Sequence, residues 1–208
     1  LWSDGADKKR WVYLPECETI DTTDMNAWSL PVGTRLFKEF SIDGTRIETR
    51  LIERVGDGPY DFLFAAYVWN DDETEATKVP DEGAPNVKGT SHDIPSQADC
   101  RRCHGSHAKR GGLPARALGF SALQLAHTDS PLNLDSLVAN QKLSDNPTEA
   151  PSVPGSETEK AALGYLHANC GNCHNESKDG IPQVDLNLWL DVNHASVEDT
   201  GAFKTAIS

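Results

Sequence analysis

The chain has few basic residues and no long apolar run. It carries 19 lysines and arginines against 32 aspartates and glutamates, for a formal net charge of −13. This balance argues against a nucleic-acid partner, because a phosphate backbone would be repelled rather than neutralised. A protein partner with a basic surface fits the charge better. No segment approaches the roughly 20 apolar residues that a membrane span needs, so the sequence predicts no membrane span in this chain.

Methionine and cysteine are also scarce. The single methionine, Met25, precedes four of the five cysteines. Those four fall into two copies of the pattern Cys-x-x-Cys-His, at residues 100–104 and 170–174. Composition alone predicts about 0.004 such occurrences in the chain, so two copies are a strong signal. The fifth cysteine, Cys17, is left over and is expected to be a partly buried, inert thiol.

The repeated pattern is typical of covalent haem c attachment. Haem c needs two thiols spaced to meet its two vinyl groups and an imidazole beside the second thiol to coordinate the iron. The sequence therefore predicts two covalently attached haem c groups. Cys100, Cys103 and His104 belong to the first haem; Cys170, Cys173 and His174 belong to the second, and the two histidines are the proximal iron ligands.

Three other interpretations of the cysteines stay open. A zinc site or structural disulfides would leave unexplained why a histidine directly follows each pair. A thioredoxin-like dithiol prefers a strand-to-helix setting in a βαβ unit, which the residues before the two motifs do not predict.

The occupant of each iron's sixth position decides between an electron carrier and an enzyme. The methionine lies ahead of both motifs, so a downstream methionine cannot serve both haems within this chain. His127 ends a predicted helix and is the first choice as distal ligand of the first haem; His92 is the second choice, and His194 follows the second motif. We expect His107 and His167 to share a helix with a proximal ligand, from which they cannot reach the opposite haem face.

The first 79 residues predict β structure. In "RLFKEFSIDGTRIETRLIERV", Asp43-Gly44 separates two alternating runs, with Ile47 and Leu51 on one face and Glu48 on the other. Asp-Gly is a strong signal for a tight hairpin turn. "DFLFAAYVWN" is apolar on both faces and is predicted to be a central strand, and "KRWVYLP" and "TEATKVP" add two more. We expect an antiparallel β domain folded as a sandwich or partial barrel.

Helical patterns follow a Pro- and Gly-rich connection over residues 80–99. They are "PARALGFSALQLAH", "PLNLDSLVANQKL" and "GSETEKAALGYLHANC", the last opening with a Ser156/Glu159 capping box. The fold class predicted is α+β, with a β-rich scaffold or docking domain over residues 1–90 and an α-helical, cytochrome c-like di-haem domain over residues 91–208. The ending "FKTAIS" predicts that the natural chain continues past Ser208.

Several segments together resemble a family of exported bacterial di-haem c-type cytochromes with a β segment before the haem region. They include "LWSDGADKKRWVYLP", "LPVGTRLFKEF", "AYVWNDDETEA", "IPSQADCRRCH", "LGFSALQL" and "YLHANCGNCHN". The resemblance covers nearly the whole chain and implies the haem assignments given above. Family members usually continue to a Met-Pro-Pro segment, which implies that the distal ligand of the second haem lies beyond Ser208.

The predicted function is single-electron transfer between redox partners in the periplasm or outside the cell, where haem c is attached. The alternative is an enzyme, a di-haem peroxidase with one open haem iron, and a haem-based sensor is a third class. The basic segment "KRGGLPAR", residues 109–116, follows the first motif and is a candidate to pair with haem propionates there.

Overall fold

The computed structural model describes residues 5–58, 61–104, 116–175 and 185–206. The chain divides into two compact units. The sheet unit comprises Leu1–Cys17 and Pro31–His104, and the helical unit comprises Glu18–Leu30 and Gly105–Ser208. An antiparallel sheet and several short helices place the protein in the mixed α+β class that the sequence predicts.

The sheet unit contains one five-stranded antiparallel meander. Its strands are β1 (Asp7–Tyr13), β2 (Arg35–Ile42), β3 (Thr45–Arg54), β4 (Phe62–Trp69) and β5 (Ala76–Lys78). Each strand pairs with the next along the chain, in the order β1-β2-β3-β4-β5. The described strands form this one sheet, and its folding into a sandwich or partial barrel stays a prediction. The apolar strand β4 is an interior strand, as predicted, with β3 on one side and β5 on the other.

The predicted hairpin is confirmed between β2 and β3. Asp43 and Gly44 have φ of 49° and 80°, the left-handed backbone that a tight two-residue turn requires. A register shift between Phe40 and Ser41 interrupts the pairing just before this turn. The irregularity changes the side-chain alternation in β3, where the adjacent residues Ile47 and Glu48 are both buried.

The connection over residues 80–96 covers one part of the sheet. It contains a single 3₁₀ turn, Val87–Gly89, and its two arms meet where Ala84 and Ile94 exchange backbone hydrogen bonds of 3.0 and 2.8 Å. Val87 and Ile94 pack with Ile47 and Val79 in one buried apolar cluster. Helix α1 (Gln97–His104) follows directly.

The helical unit contains four further helices in the described ranges. They are α2 (Ala122–Leu125), α3 (Leu134–Ala139), α4 (Glu157–Leu166) and α5 (Gly201–Ala206), and a π-helical turn, His167–Gly171, continues α4. The predicted capping box is confirmed at the start of α4, where the Ser156 N–H donates to Glu159 Oε2 at 2.7 Å. Helix α2 is shorter than predicted, because Gly119 has φ of 88° and Ser121 caps a new start.

Residues 18–30 belong to the helical unit although they lie between β1 and β2 in sequence. The Ile20 N–H donates to the Lys142 carbonyl at 2.8 Å, and the Ser144 N–H donates to the Ile20 carbonyl at 2.9 Å. Thr22 is also buried, and its hydroxyl donates to the Asp145 carbonyl at 2.6 Å. The predicted domain boundary between residues 90 and 91 stays a prediction. The two compact units divide at other residues, and the first Cys-x-x-Cys-His motif lies in the sheet unit.

Of the helices in the described ranges, none is long and apolar enough to cross a membrane.

Candidate functional site

The first motif occupies the second half of α1. Pro95 and Ser96 precede the helix, whose first turn is closed by the Cys100 N–H donating to the Ser96 carbonyl at 3.0 Å. The Ser96 hydroxyl accepts from the Asp99 N–H at 3.2 Å. Residues spaced three and four apart share one face of a helix, so both thiols and the imidazole of His104 lie on the same side of α1.

Strand β4 holds this helix against the sheet. The Gln97 side-chain amide donates to the Phe64 carbonyl. The Phe64 ring contacts the His104 ring at a centroid distance of 5.6 Å and an interplanar angle of 45°, and the Arg101 guanidinium lies 5.4 Å from the same phenyl centroid. The sheet therefore fixes both the start of α1 and the ring that would coordinate iron. Sequence analysis did not identify Phe64; its place in an apolar strand indicated only core packing.

A buried ionic cluster lies in the same unit. Glu48 and His92 are both fully buried, and Glu48 Oε2 lies 2.7 Å from His92 Nε2. The Arg50 guanidinium donates to both oxygens of Glu48, at 2.6 and 2.9 Å, and lies over the Phe40 ring. This contact gives His92, the second choice as a distal ligand, a role in the core of the sheet unit.

The thiol of Cys100 is affected by its surroundings. Burial raises its pKa; the Arg50 guanidinium opposes this effect, and the Glu48 and Asp99 carboxylates add to it. The thiol is therefore protonated at neutral pH. All five cysteines lie in the described ranges, and no disulfide joins any of them. Cys17 is exposed, so the expectation that it is partly buried is wrong.

The second motif lies where α4 ends. Cys170 belongs to the π-helical turn, and the backbone stays helical through Asn172. The N–H groups of Cys173 and His174 both donate to the Cys170 carbonyl, at 3.0 and 2.8 Å. The helical spacing again places two thiols and an imidazole on one side of the backbone.

The backbone around residue 188 supports this second turn. The Leu188 N–H donates to the His174 carbonyl at 2.8 Å. A Cβ on Gly171 would lie 2.9 Å from the Leu188 carbonyl oxygen, closer than side chains tolerate, so the glycine of "CGNCH" permits the close approach. Leu188 and Leu190 are buried with Leu163 of α4 in the core of the helical unit.

His167 is buried beside this motif. Its Nδ1 accepts from the Leu190 N–H at 3.0 Å, and its ring meets the Trp189 ring edge to face at 4.7 Å. Burial lowers its pKa to about 4, and the Arg116 guanidinium adds to the effect. The neutral ring therefore carries its proton on Nε2, which has no lone pair left for a metal. The expectation that His167 cannot reach the opposite face of the second haem stays a prediction.

The remaining histidine candidates have different surroundings. His127 follows α2 in the helical unit, and among the described residues its buried Nδ1 has no hydrogen-bond partner. Its assignment as distal ligand of the first haem stays a prediction. His194 Nδ1 accepts from the Asp191 N–H at 3.2 Å. His107 lies outside the described residues. Across the described ranges, no group of three or more His, Cys, Asp or Glu side chains is arranged to hold a metal ion.

The residues present fit covalent haem c at both motifs. Each supplies two unoxidised thiols and one imidazole on the same side of a helical turn, which is the set of groups that haem c attachment uses. Each turn is held in place by a neighbouring segment, β4 for the first and residues 188–190 for the second. Comparison of the chain with protein-family models, curated proteins and solved structures finds no match.

Proposed function

We propose that the protein is a di-haem c-type cytochrome that transfers single electrons between redox partners in the periplasm or outside the cell. One observation carries the proposal: the two Cys-x-x-Cys-His motifs, far apart in sequence and lying in different compact units, both adopt a helical turn with thiols and imidazole on one side. A zinc site would not require a histidine directly after each cysteine pair, on the same side of the same turn, in both motifs.

The cofactors would be two covalently attached haem c groups. Cys100 and Cys103 would hold one and Cys170 and Cys173 the other, with His104 and His174 as the proximal ligands. Bound haem supplies an iron that changes between two oxidation states. The contribution of this chain is to orient each imidazole and to set the electrostatic surroundings of each site.

The sheet supports the proposal as a scaffold. Phe64 and the backbone of β4 hold α1, so the ring orientation of His104 is determined by a rigid strand rather than by a loop. The net charge of −13 favours partners with basic docking surfaces, since complementary charge accelerates encounter and sets the docking orientation.

A haem count tests the proposal. The chain is produced with an export signal in cells that attach haem c, and covalent haem is measured after denaturation. We expect two haems in the wild type and one in each double variant, Cys100→Ala with Cys103→Ala or Cys170→Ala with Cys173→Ala. Cys17→Ala is the matched control, because it removes the exposed thiol outside both motifs, and it should retain two haems.

Spin state and turnover separate an electron carrier from an enzyme. We expect two low-spin haems in electron paramagnetic resonance spectra once the second haem has its distal ligand, and negligible peroxide turnover. A chain without covalent haem would refute the proposal as a whole. One high-spin haem with peroxide turnover would contradict electron transfer as the function and establish the peroxidase in its place.

A further inference from the structure

One face of the sheet carries a row of apolar side chains that runs to the first motif. Cross-strand pairing places Val12 opposite Leu36, Leu36 opposite Ile52 and Ile52 opposite Phe64. Side chains at directly paired positions lie on the same face of a sheet, so these four residues form one row across β1 to β4. Phe64 contacts the ring of His104, whereas the other three side chains are partly exposed. The apolar row is therefore an open surface that begins at the first motif.

A basic row lies beside the apolar row on the same face. Arg10 is paired with Lys38, and Lys38 is paired with Arg50, each two residues along its strand from a member of the apolar row. Like charges directly opposite each other destabilise a sheet. Basic residues on an edge strand such as β1 hinder pairing with other sheets, but Lys38 and Arg50 lie on interior strands, where this explanation does not apply. The basic row therefore contains a repulsion that an anion on this face would relieve.

Lys38 is the member of the basic row whose charge is compensated least. Burial lowers its pKa to about 8, the positive charges of Arg10, Arg50 and Lys8 add to the effect, and Glu48 opposes it. Both carboxylate oxygens of Glu48 already accept hydrogen bonds from Arg50. Within the described part of the chain, the Lys38 ammonium lies over an aromatic ring and forms no ion pair. A carboxylate from outside the chain would therefore find an available cation here.

We infer that this face of the sheet holds the first haem, with its ring against the apolar row and its carboxylates at Lys38 and Arg10. The inference rests on the proposed function, since the occupant is the haem attached at Cys100 and Cys103. A haem combines a planar apolar ring with two carboxylates on the edge opposite its vinyl groups. The apolar row and the basic row present the two matching surfaces side by side.

The position of Cys100 supports this occupant. Burial raises the pKa of its thiol, and the charges of Arg50 and Glu48 act on it as well, so the attachment point lies near the β3 end of the basic row. Lys38 and Arg10 follow on β2 and β1, away from the strand that contacts α1. A haem joined to Cys100 through its vinyl edge would therefore direct its carboxylate edge towards these two cations.

This assignment gives the propionates of the first haem partners other than the basic segment at residues 109–116. Of that segment only Arg116 is described, and it belongs to the helical unit. The basic row, in contrast, lies in the same compact unit as the first motif. The sheet is then part of the haem site itself and not only a support for α1.

Lysine labelling tests the contact. Acetic anhydride reacts with the neutral amine, and mass spectrometry of the digested chain measures the labelling rate of Lys38 at pH 7. In the variant with Cys100→Ala and Cys103→Ala, which lacks the first haem, the pKa of about 8 leaves roughly a tenth of Lys38 neutral. In the wild type with both haems, a carboxylate partner raises this pKa, so labelling should be at least about tenfold slower. Lys9, on the opposite face of β1, is the matched control and should react equally in both samples.

Redox titration tests both rows in the haem-loaded protein. Lys38→Gln should make the reduction potential of the first haem more negative, since an uncompensated propionate stabilises the oxidised iron, and should leave the second unchanged. Lys9→Gln removes one positive charge from the opposite face and should shift neither potential. Leu36→Gln should shift the first potential in the same direction, because a polar group beside the ring favours the charged oxidised state. Leu51→Gln, on the opposite face of the sheet, is its control.

A haem count of each sample separates this inference from the proposed function. Two haems in the wild type, with Lys38 labelled as fast as in the double variant, would overturn the inference and leave the proposed function intact. This holds even if Lys38→Gln shifts the potential, because a charge also acts at a distance. Slow labelling in both samples would show that another part of the chain covers the basic row, and would overturn the inference too. A wild type without covalent haem would refute both proposals.

The wild type alone decides if the double variant does not fold. The pH dependence of labelling then gives the pKa of Lys38 in the haem-loaded chain. A value well above 8 supports a carboxylate partner, and a value near 8 contradicts it.

Discussion

Each motif forms a helical turn, but the two turns are supported in different ways. The first is held by a side chain, since the phenyl ring of Phe64 packs on His104. The second is held by backbone, since the Leu188 N–H bonds the His174 carbonyl and Gly171 lies against the same segment. A packed ring can be exchanged for another apolar group, whereas a backbone contact tolerates no added atom. We therefore expect substitutions beside the first motif to change the surroundings of His104 gradually. An added atom at the second motif should instead abolish haem attachment there.

Glu48→Gln should have the largest effect and should affect the sheet unit. The substitution leaves Arg50 and His92 beside a neutral amide in a fully buried position, and breaking a buried ion pair costs about 3 to 5 kcal/mol. Urea unfolding followed by tryptophan fluorescence measures the loss.

The matched control for Glu48 is Glu53→Gln on the same strand. Glu53 pairs with Arg35 at 2.9 Å near the surface, where such pairs contribute about 0 to 1 kcal/mol. Equal losses in the two variants would contradict the importance of the buried cluster.

The acid stability of the helical unit should depend on His167. The pKa of His167 is about 4 in the folded chain against an ordinary value of 6.5. The unfolded chain therefore binds more protons between these values, and the free energy of unfolding falls as the pH falls from 6.5 towards 4, by about 3 kcal/mol at most.

Replacement of the histidine tests the origin of this slope. His167→Asn keeps an acceptor for the Leu190 N–H but removes the titrating ring, so unfolding midpoints between pH 4 and 7 should become flatter. His194→Asn, in the same unit, should keep the wild-type slope. A slope unchanged by His167→Asn would assign the acid sensitivity to another group.

Gly171→Ala tests the backbone support of the second motif. The new Cβ would lie 2.9 Å from the Leu188 carbonyl oxygen, and overpacking of this kind costs about 1 to 3 kcal/mol. We expect a lower thermal midpoint and loss of the second haem alone, measured by haem count.

Gly164→Ala is the control for this substitution. Gly164 lies within α4, with its nearest contact 4.0 Å from the added Cβ, so alanine should stabilise the helix by about 0.5 to 1 kcal/mol. Retention of both haems in Gly171→Ala would contradict the expectation that an added atom at the second motif abolishes haem attachment there.

The features predictable from sequence were local ones. The Asp43-Gly44 hairpin and the capping box of α4 depend on residues within four positions of each other, and both are present. The two Cys-x-x-Cys-His motifs are equally local. Even the shortening of α2 at Gly119 had a local signal, since glycine interrupts helices.

The features that were missed depend on contacts between distant residues. Strict alternation placed Glu48 opposite Ile47, but the register shift after Phe40 buries both. Residues 18–30 gave no sign that Ile20 pairs with residues 142–144, so their position between β1 and β2 in sequence did not indicate that they belong to the helical unit. Neither a bulge nor a long-range bridge is visible in local periodicity.

Phe64→Leu should have the smallest effect on stability, and it should affect the first motif without affecting the second. Leucine preserves most of the apolar volume, so the loss should be about 1 kcal/mol. It removes the ring surface on which His104 packs, so the imidazole would gain rotational freedom about the iron. We expect the electron paramagnetic resonance signal of the first haem to broaden and shift, with the second unchanged. Phe37→Leu, on the opposite face of the same sheet, should alter neither signal. A change in both haems, or in neither, would show that the ring of Phe64 does not orient His104.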